Sequence, residues 1–248
     1  VISGFPSFTP EDIVTLQSNF SFFKSTDVGN EIQLKTRDGS LVRLEIVEYT
    51  SATSVEVSPK VTVPTELIGV YTSDWAYAVD EFYGLHHLEG KSLSIFADAF
   101  VSANPNNESY DVVTVAYGKI TLPIPRAFVV AGLPYTSDLE TLRIDTIQSE
   151  TMIDKRININ RLTMNLLDTR GLWVGIEEPK NGFVEGLNEL KPRSDEDYNN
   201  PSKLRTEPDT TIIDSAWNKD GKVFVRQIDP IPATILSIHP SGFIPFRG

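Results

Sequence analysis

From Glu31 onward apolar and polar residues alternate with a period of two, the pattern of strands that bury one face. Ile32 and Leu34 alternate with Gln33 and Lys35, and Val42, Leu44 and Ile46 resume the alternation after Arg37, Asp38, Gly39 and Ser40. Asp followed by Gly between two such runs predicts a hairpin turn. Val55 and Val57, then Val61 and Val63, predict further short strands interrupted by Pro59 and Pro64. Leu93, Ile95 and Ala97, then Val113 and Val115, Ile120, Leu122 and Ile124, and Phe128 and Val130 continue the pattern.

Between Ile157 and Leu166 the parity changes. Ile157 and Ile159 are odd, whereas Leu162, Met164 and Leu166 are even. One extra residue near Asn160 and Arg161 restores a single buried face, so the pattern predicts a β-bulge there. A turn at Asp168 to Gly171 is expected to return Leu172, Val174 and Ile176 antiparallel to this strand, and Asn218 to Gly221 to form another hairpin turn before Val223 and Val225. Near the start the period lengthens. Thr9 suits a cap, Pro10 the first helical position, Glu11 and Asp12 the positive end of the dipole, and Ile13, Leu16 and Phe20 follow at near-helical spacing, which predicts one short helix over residues 10 to 18. The fold class is therefore all-β: short antiparallel strands in small sandwich or barrel modules, with one short N-terminal helix and a long acidic loop at 177–210. Two domains are expected, residues 1–66 with the helix and a small β-module, and residues 67–248 as a sandwich or barrel domain carrying the loop.

Composition narrows the functional classes. Lysine and arginine total 22 against 34 acidic residues in 248, a formal charge of -12. Such a balance argues against a surface that grips nucleic acid phosphates, which needs clustered positive charge. Cysteine is absent, so disulfides and thiolate chemistry are excluded and stability has to come from packing, strand pairing or neighbouring subunits. No apolar run approaches the roughly 20 residues of a membrane-spanning helix, and no signal peptide is expected.

Candidate chemistry is sparse. His86 and His87 are adjacent and tend to point apart, and His239 is the remaining histidine, so a shared zinc site is not expected. Asp195, Glu196 and Asp197 lack the spacing of a calcium loop and read as a solvated acidic run. There is neither a Gly-x-Ser-x-Gly elbow nor a phosphate-cradling glycine loop. No catalytic residue, cofactor or metal ligand is assigned. Tyr71, Trp75, Tyr77, Phe82 and Tyr83 form an aromatic cluster whose ordinary role is packing, with Trp75 and Tyr77 as weak candidates for a ligand face.

Four stretches together resemble one family. Asp27, Val28 and Gly29, leading through Ile32 and Leu34 to Thr50, Ser51, Ala52, Thr53, Val55 and Val57, form the first. Gly84, Leu85, His87, Leu88, Glu89, Gly90 and Lys91 through Ala97 and Asp98 form the second, and Gly132 to Leu139 with Thr141 and Leu142 the third. Trp217, Asp220, Gly221, Val223, Val225, Arg226, Gln227, Asp229, Pro230 and Ile238 form the fourth. In this order, over about residues 26 to 240, they are similar to the tail nozzle proteins, or tail tubular protein B, of short-tailed bacteriophages. Members of that family are usually longer, with a β-propeller-type region upstream, so the resemblance implies a fragment or a shortened relative. It implies a non-enzymatic structural protein of the virion tail, a homo-oligomeric, hexameric ring that conducts DNA during genome ejection and contacts adaptor and fibre proteins, either lining the channel or decorating it. The other expectation is a carbohydrate- or receptor-binding β-module of a tail, using Trp75 and Tyr77.

Overall fold

The structure, a computed structural model, describes residues 1–3, 8–144, 146–147, 150–151, 155–190, 203–213, 217 and 219–243. Its strands are β1 (Ile2–Ser3), β2 (Val14–Gln17), β3 (Glu31–Lys35), β4 (Leu41–Ser51), β5 (Ser54–Pro59) and β6 (Trp75–Tyr83). There follow β7 (Ser92–Ala97), β8 (Phe100–Ala103), β9 (Val113–Thr114), β10 (Lys119–Arg126), β11 (Val129–Gly132), β12 (Ser137–Glu140), β13 (Thr146–Ile147) and β14 (Glu150–Thr151). The last are β15 (Asn158–Leu167), β16 (Leu172–Gly175), β17 (Asn188–Glu189), β18 (Pro208–Ile212), β19 (Phe224–Gln227) and β20 (Thr234–Phe243). Among the described residues the only helical pieces are three-residue 3-10 turns at Ser25–Asp27, Thr65–Leu67 and His86–Leu88. The protein is all-β.

The chain forms two units, Val1–Lys91 with Thr114–Val130, and Ser92–Val113 with Ala131–Gly248. Residue 66, the boundary read from the sequence, lies inside the first unit. β6, beyond it, pairs with β3 through Ile32 opposite Tyr77 and Leu34 opposite Trp75.

The first unit is built on an antiparallel sheet of order β1-β2-β5-β4-β3-β6-β10. The expected hairpin joins β3 to β4: Gly39 takes φ +90, and its N–H donates to the Thr36 carbonyl at 3.1 Å. Asp38 accepts from the Thr36 and Ser40 hydroxyls and from the Ser40 N–H, bonds that hold its carboxyl below the usual range. The core comprises Val14, Leu16, Ile32, Leu34, Val42, Leu44, Ile46, Val55 and Val57 from alternate positions of four neighbouring strands. Glu31 is buried against Arg43, whose Nη2 lies 2.6 Å from its carboxylate; burial raises the Glu31 pKa more than Arg43 lowers it.

The helix expected over residues 10–18 is absent. Thr9 bonds to the Asp12 carboxylate through its N–H and hydroxyl, Glu11 takes φ +74, and Val14 to Gln17 pair with β5 as a strand. The spacing of Ile13, Leu16 and Phe20 misled because the buried residues are Val14 and Leu16, two apart, while Ile13 is 61% exposed. Pairing with β5 outweighs the local capping signal, as tertiary context commonly does.

In the second unit the parity change resolves as expected. β15 pairs with β20 with a register shift between Ile159 and Arg161, leaving Asn160 as the extra residue. Ile157, Ile159, Leu162, Met164 and Leu166 are all buried in one core. A β-carbon on Gly242, opposite Ile159, would collide with the Asn158 carbonyl, so the strand facing the bulge needs a glycine there. β15 lies in the sheet β18-β15-β20, whereas β16 lies in β12-β19-β16-β17. The turn at Asp168 to Gly171 therefore sends the chain to another sheet instead of closing a hairpin. Among the described residues β19 pairs with β12 and β16 and not with β18, and Asn218, where the second expected hairpin turn begins, lies outside the described residues. The stretch 177–210 is not wholly exposed either: Leu187 and Leu190 are buried, and β17 pairs with β16 through Glu189 opposite Trp173. Asp195, Glu196 and Asp197 lie outside the described residues.

Strand against helix at the N-terminus is directly testable. Leu16→Ala should cost about 2–5 kcal/mol of unfolding free energy in urea, as buried leucine truncations do, whereas Ile13→Ala should stay within about 0.5 kcal/mol. Comparable losses at both positions would contradict the strand.

Candidate functional site

Trp75 and Tyr77, two residues apart on β6, project from one face of it toward Phe22. Phe22 is the hub of the cluster. Its ring stands edge-on to Trp75 at 5.0 Å, Phe23 at 5.3 Å, Tyr77 at 5.7 Å and Phe20 at 6.0 Å between centroids. Such T-shaped pairs each add about 0.5–1.5 kcal/mol beyond area burial, so the cluster fastens the segment after β2 to β6. The Tyr77 hydroxyl accepts from Asn30 Nδ2 at 2.6 Å. Burial, and then the Asp27 carboxylate, push its pKa up to about 12. Tyr77 is thereby tied to the loop before β3. Trp75 lines an apolar cleft with Phe20, Phe22, Val70 and Tyr71. Tyr71 and Phe20, at 69% and 50% exposure, form its open side.

The stretch from Gly84 to Lys91 acts as a joint. Gly84 and Gly90 take positive φ around the 3-10 turn His86–Leu88, and Leu85 N–H donates to the Gly118 carbonyl at 2.9 Å. Tyr117 (φ 56) and Gly118 (φ 69) are the two central residues of a tight hairpin turn closed by Ala116 and Lys119. Both conformations are positive, which suits Gly and strains Tyr. Glu89 compensates: its carboxylate accepts from the Tyr117 N–H at 2.8 Å and the Gly118 N–H at 2.7 Å, which holds its pKa below the usual range. The His86 ring occupies the space a Gly118 β-carbon would need. His86 and His87 are both exposed. Nothing in the spacing of Glu89 and Tyr117 announces their partnership.

The sequence also hides a buried network. Asn104 and Asn107, in the polar run Asn104, Pro105, Asn106 and Asn107, are 0% and 8% exposed. Both donate through Nδ2 to Asp229 Oδ1, at 2.9 and 3.1 Å, and Asn104 Nδ2 also donates to the Ile228 carbonyl. Burial raises the Asp229 pKa against these bonds. Glu189 is raised as well, by burial first and by Asp229 second. Each asparagine carbonyl oxygen accepts a backbone N–H two residues on, so this is a carboxylate caged by amides and not a ligand set for a cation.

Across β12 and β19, Arg226 grips Asp138 with two bonds of 2.7 and 2.8 Å and donates to the Phe183 carbonyl at 2.9 Å. Such a bidentate pair fixes strand register. The His239 ring bonds to the Ser237 hydroxyl within β20 at 2.9 Å. Among the described residues no group of three or more His, Asp and Glu side chains is placed to hold a metal ion. The chain matches no family model and no curated protein.

The described surface exposes large apolar side chains on both units. Tyr83 and Tyr117 on the first unit, at 70% and 89% exposure, and Leu142, Ile212 and Phe243 on the second, at 90%, 73% and 64%, leave large apolar groups in water. No helix among the described residues is long and apolar enough to cross a membrane.

Two measurements follow from these geometries. Trp75→Ala should lower unfolding free energy by about 1–3 kcal/mol through lost ring packing. For Asp229, a carboxyl whose folded pKa exceeds its unfolded one binds its proton more tightly when folded, so its cost to stability appears as the pH rises from the unfolded pKa and is complete above the folded one. The difference in stability between wild type and Asp229→Asn should therefore move in the variant's favour as the pH rises out of the carboxylate range. Urea unfolding across a pH series checks this, and a constant difference would contradict it.

Proposed function

We propose that this chain is a non-enzymatic structural component of a short-tailed bacteriophage tail, of the nozzle type, which assembles with further copies into a ring that passes DNA during ejection. The observation that carries the reading is order: four separate stretches resemble that family in sequence over about residues 26 to 240. The first enters β3, the second is the glycine-flanked joint locked by Glu89, the third includes β12, and the fourth includes β19. A resemblance concentrated at joints and paired strands is the kind that a shared architecture leaves.

Two physical features support association with like subunits. The chain has no cysteine, and it leaves many large apolar side chains exposed. Burial between subunits removes such groups from water, and a contact repeated head to tail closes into a ring when the rotation permits. The formal charge of -12 supports a surface that nucleic acid slides past, because an acidic wall repels phosphates. Adaptor and fibre proteins are the partners in this reading, and the virion tail is its location.

Light scattering with negative-stain imaging, on this chain and on the full product of its gene, tests the proposal. A ring with a central hole is expected. A monodisperse monomer in both, persisting after addition of portal and adaptor proteins, would overturn it.

A further inference from the structure

Among the described residues the sheet β18-β15-β20 ends in β18 on one side and β20 on the other. β20 pairs with β15 along its inner side, from Thr234 opposite Leu167 to Phe243 opposite Asn158. β18 pairs with β15 on the other side, from Pro208 opposite Asn165 to Ile212 opposite Arg161. Among the described residues neither strand makes a backbone hydrogen bond on its outer side. An unpaired row of N–H and C=O groups is a template for another strand, and proteins ordinarily blunt such rows with charge, proline or short length.

The other outer strands are blunted by charge or by shortness: β1, β8, β9 and β11 carry no charge but are only two to four residues long. β12 carries Asp138 and Glu140, β10 carries Lys119 and Arg126, and β17 carries Glu189. β20 is ten residues long and holds no Asp, Glu, Lys or Arg. Its interruptions are Pro240 and a register shift that leaves Leu236 as an extra residue between Ile235 and Ser237, so the Thr234–His239 edge lies on one side of the proline and carries one irregularity. β18 offers five residues and a single charge, Asp209, which Arg205 neutralises. Both strands run antiparallel to β15, so they are parallel to each other and lie at opposite ends of one sheet.

We propose that the Thr234–His239 edge of β20 adds to the β18 edge of a second copy, so that one sheet continues from subunit to subunit. Charge selects the occupant. Copies carrying a formal charge of -12 repel over most of their surfaces, and at these two edges strands meet with no carboxylate facing another. Main-chain bonds supply the affinity of such strand addition. Joining opposite edges satisfies both and makes the contact heterologous. The inference rests on the ring reading in this respect, since a ring needs a head-to-tail contact.

The cysteine-free chain makes the test clean. Leu236 and Ile212 are 62% and 73% exposed, so Leu236→Cys and Ile212→Cys leave the core untouched. A short bismaleimide should link the two single variants to each other when mixed, and should turn the double variant into a covalent ladder. Leu236→Lys should weaken self-association about tenfold or more by placing a charge on the edge, with an unchanged circular dichroism spectrum. Products linked only through Leu236→Cys pairs would mean two-fold pairing of β20 and would overturn the proposal. Unlinked variants in a chain that still images as rings would overturn the edge contact alone. A ladder whose images show open filaments supports the contact and removes the ring. A monomer without cross-links overturns both.

Discussion

The extra residue at Asn160 decides how the second unit is built. β15 supplies a buried row from Ile157 through Leu166, and only a one-residue insertion keeps the odd and even halves of that row on the same side. Without it either Ile157 and Ile159, or Leu162, Met164 and Leu166, would face water, each buried side chain forfeiting about 1.5–3 kcal/mol. The partner strand accommodates the irregularity with Gly242, where any β-carbon would strike the Asn158 carbonyl. Two residues on neighbouring strands thus set the register of the sheet whose outer strands are β18 and β20.

Charge is arranged around this apolar framework in pairs. Glu31 with Arg43 and Asp138 with Arg226 join neighbouring strands, and Glu89 anchors a strained turn through two backbone N–H groups. Asp229 is different: burial outweighs the two asparagine amides that hold it, and its pKa is raised. In a chain with 34 acidic residues, these few carboxylates have specific structural work. Clamping strands, locking a turn and ordering the Asn104–Asn107 loop are the three tasks seen.

Much of the fold was legible because β-structure writes itself into alternation. The Asp38–Gly39 hairpin, the bulge at Asn160 and the packing role of Trp75 and Tyr77 all follow from local spacing and residue type. What failed was information that spacing does not contain. The turn chemistry at Asp168 to Gly171 announces a change of direction but not which sheet the chain joins next. Thr9, Pro10 and Glu11 look like a helix start, yet β5 captures Val14 and Leu16. The partnerships of Glu89 with Tyr117 and of Asn104 with Asp229 join residues 28 and 125 positions apart. For the candidate site, Trp75 and Tyr77 were readable as aromatics, while the edges of β18 and β20 became visible only once the pairing order was known.

The division of the chain into interleaved units bears on the order of events during synthesis. The first unit takes residues 1–91 and then Thr114–Val130, with the opening strands of the second made in between. β1 to β6 are complete once Tyr83 has been translated, but β10, which covers the outer side of β6 and brings Lys119 to Glu81, arrives some tens of residues later. On a ribosome adding about 5–20 residues per second, the β6 edge stays bare for seconds. A nascent chain in that interval is a natural client for a chaperone that binds exposed strands, and the yield of folded protein should be sensitive to the pace of translation through the segment between the two halves of the first unit.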